Sequence, residues 1–293
     1  MDMDLQSLKY FKRVAELNSI SKAAREFQVV QSAVSTQIKS LEYELGTDLF
    51  DRTNNKIELN EKGKVLYKYA NRILVLVKDS KKELADANQY DSTTLTISVE
   101  TIPLLLPHLI QGFNQKYQDI KIKLMQYQKD FDMENMESDI MIYFSENPVE
   151  EETAITVYQE NILLAVSKEN PLANKKTVTW AELENERFIN RSSLSELAAV
   201  MQIHLDGVNF HPDISVISDY PPLINSLIAS NMGIAFLPKL SWLYYDNSNI
   251  VLLEIEDFSI NRYINITWRK EAYVSKAMKQ FIAYTKRFFE EVV

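Results

Sequence analysis

From Glu61 to Asn88 the chain reads EKGKVLYKYANRILVLVKDSKKELADAN, with no proline and glycine only at position 63. Leu66, Tyr69, Ile73 and Leu76 recur at spacings of three and four, and Leu84 continues the stripe loosely beyond Ser80, which predicts one continuous amphipathic helix. At about 1.5 Å per residue such a helix spans roughly 40 Å, too long to be covered by a small domain. The run therefore divides the chain and needs a partner along its length. Two partners are open: a twin helix from a second copy, or the rest of the same chain. Lys64, Lys68, Lys78, Lys81 and Lys82 keep the other faces solvated, which favours the twin.

Upstream, QSAVSTQIKSLEYELG at Gln31 to Gly46 predicts a second kind of helix. Val34, Ile38, Leu41 and Leu45 form one apolar stripe. Ser32, Thr36, Lys39 and Tyr43 cluster opposite, with Ser35 on the flank. An outer face of Ser, Thr, Gln and Lys suits the amino end of a helix entering a DNA major groove; by itself the pattern also fits an ordinary surface helix. The neighbours narrow the choice. Leu5, Leu8, Phe11, Val14, Ala15 and Leu17 predict a first helix broken near Asn18-Ser19, and Ser21 is the expected cap of a short helix Lys22 to Phe27, whose Ala23-Ala24 pair permits close approach. Gly46 is a C-cap candidate, and Asp48 to Leu59 alternates around Arg52 and Asn54-Asn55-Lys56 as a two-stranded wing does.

Residues 5–63 carry Leu8, Tyr10-Phe11, Val14-Ala15-Glu16, Ser19, Ala23-Ala24, Gln31, Ala33-Val34-Ser35, Gln37-Ile38, Leu41-Glu42, Leu45-Gly46, Leu49-Phe50, Arg52, Leu59 and Gly63. In this dense, ungapped set the chain resembles the winged helix-turn-helix of LysR-type transcriptional regulators. It departs from the family where Ser32 replaces a frequent Pro, Thr36 a frequent Arg, Asn60 a frequent Thr, and where a second wing Arg is missing near Asn55. The resemblance implies a reading head at 1–60, a linker and dimerisation helix at 61–90 and an effector-binding domain at 91–293.

Charge agrees with that division. The net charge is −9, yet residues 1–90 carry +2 and the remainder −11. A head so weakly basic must attract phosphates through local placement of Lys9, Lys22, Arg25, Lys39, Arg52 and Lys56. With no cysteine there is no disulfide, thiolate metal site or thiol redox switch. The charged N-terminus is not read as a signal peptide, and no apolar run approaches a membrane span. A cytoplasmic protein with no membrane partner is expected.

After the polar hinge Asp91-Ser92-Thr93-Thr94 the pattern becomes strand and helix in alternation. Strands are expected at Leu95–Val99, Ile120–Met125, Asp139–Phe144, Ile162–Val166, Ile214–Ser218, Gly233–Leu237 and Tyr263–Trp268, with helices at Pro103–Tyr117 and Val274–Phe289. Such alternation predicts parallel sheets covered by helices, as one large sheet or two smaller lobes. Asn231 to Pro238 and Leu104-Leu105-Leu106-Pro107 resemble segments of LysR effector domains, which are similar to periplasmic solute-binding proteins. The implied fold is an N-terminal all-α winged helix-turn-helix with a long linker helix, then a C-terminal α/β two-lobed domain. Lobe one is expected at 92–161 and 266–293, lobe two at 162–265, with crossovers near Glu160-Asn161 and Asn265.

Ligands of open α/β sheets collect at the carboxyl ends of the strands. That rule selects Glu100 and Thr101, Gln126 and Gln128, Phe144, Arg191 with Ser192 and Ser193, and Ser218-Asp219 as the lining of an effector cleft. Thr101 is also placed to cap the helix opening at Pro103, and each of these residues read singly is equally a cap or a turn. Glu100 argues against a strongly anionic effector unless an arginine offsets it, and Arg191 is the available candidate.

An enzyme is not expected. His108, His204 and His211 are the only histidines, no GxSxG, GxGxxG or GxxxxGK[ST] occurs, and five glycines cannot build glycine-rich loops. No cofactor or metal is implied. On the head, Gln31, Ser32, Ser35, Thr36 and Lys39 are the expected base-reading residues, and Ser21, Lys22, Arg52 and Lys56 the phosphate contacts. The resemblance implies promoter DNA, a small-molecule effector, RNA polymerase and a homo-oligomer, dimer or tetramer, as partners. The competing reading is a solute-binding or protein-interaction protein whose winged domain no longer reads DNA.

Overall fold

The computed structural model describes residues 3–53, 56–87, 93–126, 136–192, 195–240 and 248–292. Helices α1 (Leu5–Leu17), α2 (Ile20–Glu26) and α3 (Gln31–Leu45) precede strands β1 (Phe50–Thr53) and β2 (Lys56–Leu59), which pair antiparallel as a wing. Leu8, Phe11, Val14, Val34, Ile38 and Leu41 meet in one core with Leu49 and Phe50. Burying each such side chain contributes on the order of 1.5–3 kcal/mol. Asn18, left-handed at φ 46°, ends α1, and Gly46, at φ 64°, ends α3, a conformation that glycine adopts without a Cβ penalty.

Two local expectations change. Ser19 rather than Ser21 caps α2, its hydroxyl accepting from the Lys22 amide, so Ser21 lies inside the helix. Leu45 is 41% exposed: it points along the same stripe as Val34, Ile38 and Leu41 but is the last residue of α3, at the end of the helix.

Helix α4 (Glu61–Ala87) is the expected long helix. Asn60 caps it, Oδ1 accepting from the Gly63 amide while Nδ2 donates to the Asp48 carbonyl; Asn thus keeps a capping oxygen at a site where Thr is frequent. A Cβ on Gly63 would run into the Leu49 carbonyl and Leu59, so glycine allows the close approach of α4 to the wing. The predicted stripe divides between both open partners. Leu66 and Ile73 pack on the head's own core, whereas Val65, Tyr69, Leu76 and Leu84 remain 53–64% exposed.

Beyond α4 come β3 (Thr93–Val99), α5 (Leu106–Lys116), β4 (Ile120–Gln126), β5 (Ile140–Ser145), β6 (Glu150–Glu151) and β7 (Ala154–Ser167). Then follow β8 (Thr177–Val178), α6 (Trp180–Leu183), β9 (Arg187–Asn190), α7 (Glu196–Gly207), β10 (Asp213–Ile217), α8 (Pro221–Ala229), β11 (Ala235–Pro238), β12 (Ile250–Ile255), β13 (Ile260–Thr267) and α9 (Lys276–Val292). Of the polar hinge, Asp91 and Ser92 lie outside the described residues. The expectation of parallel sheets holds for β3 with β4 and β5, β9 with β10, and β8 with β12. It fails at β7 and β13, which pair antiparallel with each other and with β5, β11 and β12. Connection length accounts only for the β6–β7 hairpin, where a two-residue turn cannot make the crossover of a dozen residues or more that a parallel pair needs; β11, β12 and β13 reach β7 from far along the chain, where length permits either direction.

The segment expected as a strand at Ile162–Val166 is the second half of the 14-residue β7. Its residues 154–162 pair with β13, and 162–167 with β11 and β12. Leu95, Ile97, Leu109, Phe113 and Phe281 form the core on the first side, and Leu164, Phe188, Met201, Ile234 and Leu253 that on the second.

Candidate functional site

Helix α3 sorts its side chains cleanly. Val34 and Ile38 are 0% exposed and Leu41 2%, whereas Gln31, Ser32, Thr36 and Lys39 stand in solvent and Ser35 is half-buried between the faces. The N-cap residue Val30 supplies no side-chain hydrogen bond, leaving the helix N-terminus, with its positive dipole end, to an outside acceptor. Two polar contacts fix the helix on its domain. Gln37 accepts from the Ser7 hydroxyl at 2.9 Å, and the buried Glu42 accepts the Leu49 amide at 2.9 Å, tying helix to wing. These two anchors were not singled out from sequence, because neither partner lies on the same helix.

Lys9, Lys22, Arg25 and Lys39 are exposed and make no ion pair among the described residues. Arg13, by contrast, is consumed by Glu26 and Glu16, which raise its already high pKa. Arg52 and Lys56 sit on the two wing strands, opposite Ile57 and Thr53; their side chains, with Asn54 and Asn55, lie outside the described residues. The arrangement offers amide and hydroxyl groups from one helix face, surrounded by free cations. Such a face can pair with base edges and phosphates.

The second cluster forms at the carboxyl ends of β9 and β10. The Ser192 amide donates to Asp219 Oδ1 at 3.1 Å, the Ser218 amide to the Asn190 carbonyl at 2.9 Å, and the Ser218 hydroxyl accepts the Tyr220 amide. Arg191 Nε stands 3.9 Å from Asp219 Oδ1, beyond hydrogen-bond reach, and among the described residues neither Nε nor the buried Ser192 hydroxyl has a hydrogen-bond partner. Burial lowers the Arg191 pKa, opposed by Asp219; Arg262 lowers it further and Glu100, at the end of β3, raises it. Charges from β13 and from the end of β3 therefore act on Arg191 along with that of Asp219. Two buried donors without a partner among the described residues can take a ligand's oxygens.

Thr101 is buried, but α5 opens at Leu106 with Leu105 as N-cap, so Thr101 does not cap a helix opening at Pro103. The chain spends 103–105 on a turn, and Ile102 takes φ 57°, an uncommon conformation for a β-branched residue. Phe144 is half-buried under the Arg262 guanidinium, 5.2 Å from its ring centre. Gln126 ends β4, its side chain outside the described residues; Gln128 and Ser193 lie outside them altogether.

Two charged constellations escaped the sequence. Arg262 and Glu160 stand opposite each other on β13 and β7, both under 5% exposed, with Nε and a terminal nitrogen 2.7 Å from Oε1 and the Leu240 amide on Oε2. Asp139, 4% exposed, accepts the Thr96 amide and pairs with Lys82 and Lys78 of α4; Asp79 and Arg269 meet at 2.8 Å. The Lys78 ammonium also donates to the Glu137 carbonyl, and burial is the chief cause that lowers its pKa. Helix α4 is thus seated on the β3–β5 side through buried charge. Only strand register and helix seating bring these partners together.

Residues 5–64 match the profile described as bacterial regulatory helix-turn-helix protein, lysR family, and residues 88–290 that described as LysR substrate binding domain. The HTH-type transcriptional regulator YybE of Bacillus subtilis is 27% identical, over 99% of this chain and 100% of its own. A probable RuBisCO transcriptional regulator of Phaeodactylum tricornutum is 30% identical over 98% of both chains. The crystal structure of full-length CbnR complexed with its target DNA superposes with a TM-score of 0.66 over 97% of this chain and 99% of that one, at 22% identity. No helix among the described residues is long and apolar enough to cross a membrane.

Proposed function

The chain belongs to the LysR family of bacterial helix-turn-helix transcriptional regulators, and from that premise we propose how its residues divide the work. Gln31, Ser32, Ser35, Thr36 and Lys39 read base edges in the major groove: Gln pairs with adenine, the hydroxyls accept several bases, and Lys39 reaches a base or phosphate. Ser21, Lys22, Arg52 and Lys56 hold phosphates and set the register. Thr36, standing where relatives often carry Arg, softens guanine readout. The observation that carries this reading is the division of α3 into the buried stripe of Val34, Ile38 and Leu41 and a polar face without ion pairs among the described residues.

The exposed stripe of Val65, Tyr69, Leu76 and Leu84 pairs with a second copy, which doubles the phosphate contacts of a weakly basic head. Residues 1–60, 61–90 and 91–293 then act as head, linker and sensor in a cytoplasmic dimer or tetramer. A small-molecule effector settles between the lobes, with Arg191, Ser192, Ser193, Ser218 and Asp219 on one side and Glu100, Thr101, Gln126, Gln128 and Phe144 on the other. The unpaired Arg191 Nε and Ser192 hydroxyl favour a carboxylate or similar anion. Effector binding repacks the sensors and alters head spacing, DNA bending and contact with RNA polymerase, by no more than its preference for one arrangement over the other. The sensor binds without turnover.

A binding selection from random duplexes tests the reading face. Thr36→Arg is expected to shift the recovered consensus towards guanine at one position in each half-site, and an unchanged consensus would count against the role of this face. Affinity for the selected site must fall steeply with salt; a flat salt dependence would point to a wing serving protein contacts instead.

A further inference from the structure

A cavity of about 540 Å³ lies between α4 and the β3–β4 side of the sensor sheet, away from both sites above. Its size falls within the range of small-molecule pockets. Lys12 of α1, Lys78, Lys81 and Lys82 of α4, and Lys123 of β4 converge on it. Three carboxylates answer them: Glu137 and Glu16 pair with Lys12, and Asp139 with Lys82 and Lys78. Lys81 and Lys123 are exposed and have no hydrogen bond or ion pair among the described residues. The charge is therefore lopsided, and the two unpaired ammonium groups sit on different elements. Leu74, Val75, Ala85 and Met125 add an apolar wall.

The cavity stays open in a dimer built on the exposed stripe. At about 100° per residue, Lys78, Lys81 and Ala85 point roughly opposite to Tyr69 and Leu76 on the helical wheel. A twin helix seated on Tyr69 and Leu76 leaves the lysine face free.

We propose that this cavity is a second ligand site, for a multiply charged small anion with an apolar body, of the nucleoside polyphosphate class. The phosphates would bridge Lys81 of the linker to Lys123 of the sensor, with Lys78 and Lys12 alongside, while the apolar body lies on Leu74 and Met125. Charge-assisted hydrogen bonds from ammonium groups to phosphate oxygens are the strong kind. Because Lys12, Lys81 and Lys123 belong to head, linker and sensor, such an anion fastens the three together. By linkage, it and any effector that moves the sensor change each other's affinity by one common factor.

Isothermal titration of the full-length protein at fixed ionic strength, without DNA, tests the site with ATP, inorganic pyrophosphate and adenosine. ATP should saturate at one per chain and bind more tightly than pyrophosphate, with adenosine binding undetectable. Lys81→Gln and Lys123→Gln should each weaken ATP about tenfold, the worth of one charge-assisted hydrogen bond, without moving the unfolding midpoint, since neither lysine holds a partner among the described residues. Arg191→Ala and Lys39→Gln should leave ATP binding unchanged. No saturable ATP binding, ATP binding indifferent to both cavity substitutions, or loss in Arg191→Ala or Lys39→Gln would each overturn the proposal, the last two by assigning the anion to the interlobe cleft or the head.

Discussion

The reading head and the sensor build their sites on opposite plans. In the head, one 15-residue helix carries both the face that holds the domain together and the face offered outward. In the sensor, the central ion pair joins Glu160 to Arg262 across 102 positions of sequence. A site confined to one helix is fixed as soon as the helix packs. A site assembled from distant strands depends on register, and its charges lie inside the structure rather than on it. The two regions should therefore fail in different ways when single residues are changed.

The largest effect is expected in the sensor. Arg262→Ala leaves the Glu160 carboxylate 2% exposed and without its guanidinium, which should cost about 3–5 kcal/mol in urea unfolding followed by sensor tryptophans. Replacing both partners with apolar residues of similar volume should recover most of that loss; no recovery would mean that the charges themselves are needed. Next comes the head, where Ile38→Ala opens a cavity at a side chain 0% exposed. It should lower head stability by about 2–5 kcal/mol while effector binding by the sensor is kept. A parallel loss of sensor stability would show that the two cores unfold as one.

Smaller effects belong to the surface of α3 and its neighbour α2. Gln31→Ala should leave the unfolding midpoint in place and cost about 1–3 kcal/mol of discrimination at one base pair, read by competition between matched and mismatched duplexes. Smallest is Lys22→Ala, expected to weaken all duplexes alike and to reduce the slope of log affinity against log salt by about 0.9 for each phosphate that the lysine neutralises. A sequence-dependent weakening would move Lys22 into the reading set.

The same contrast explains what could be read from the residues alone. Periodicity located α1, α3 and α4, because a buried stripe and a solvated face follow from helical geometry whatever the rest of the chain does. Strand-end reasoning brought Arg191, Ser192, Ser218 and Asp219 together, since parallel β9 and β10 end at the same edge. Errors arose where two neighbouring residues competed for one local role: Ser19 took the cap assigned to Ser21, and the turn after Ile102 delayed α5 past Thr101. The parallel sheet gave way at β7 and β13, which pair antiparallel across a long stretch of chain whose length leaves the direction open. The pairs Glu160 with Arg262 and Asp139 with Lys82 were invisible, as nothing in one strand's sequence names the residue that will face it. The stripe on α4 misled in part, because Leu66 and Ile73 serve the head's core while Tyr69 and Leu76 stay exposed.

The central claim is that the solvent face of α3 reads a specific sequence. Genome-wide DNA capture by the purified full-length protein, beside Gln31→Ala and Ser35→Ala, tests it most directly. The account predicts a short set of promoters sharing a dyad, recovered by the native chain and lost or redistributed in the variants. A set of promoters captured equally well by all three proteins would contradict it.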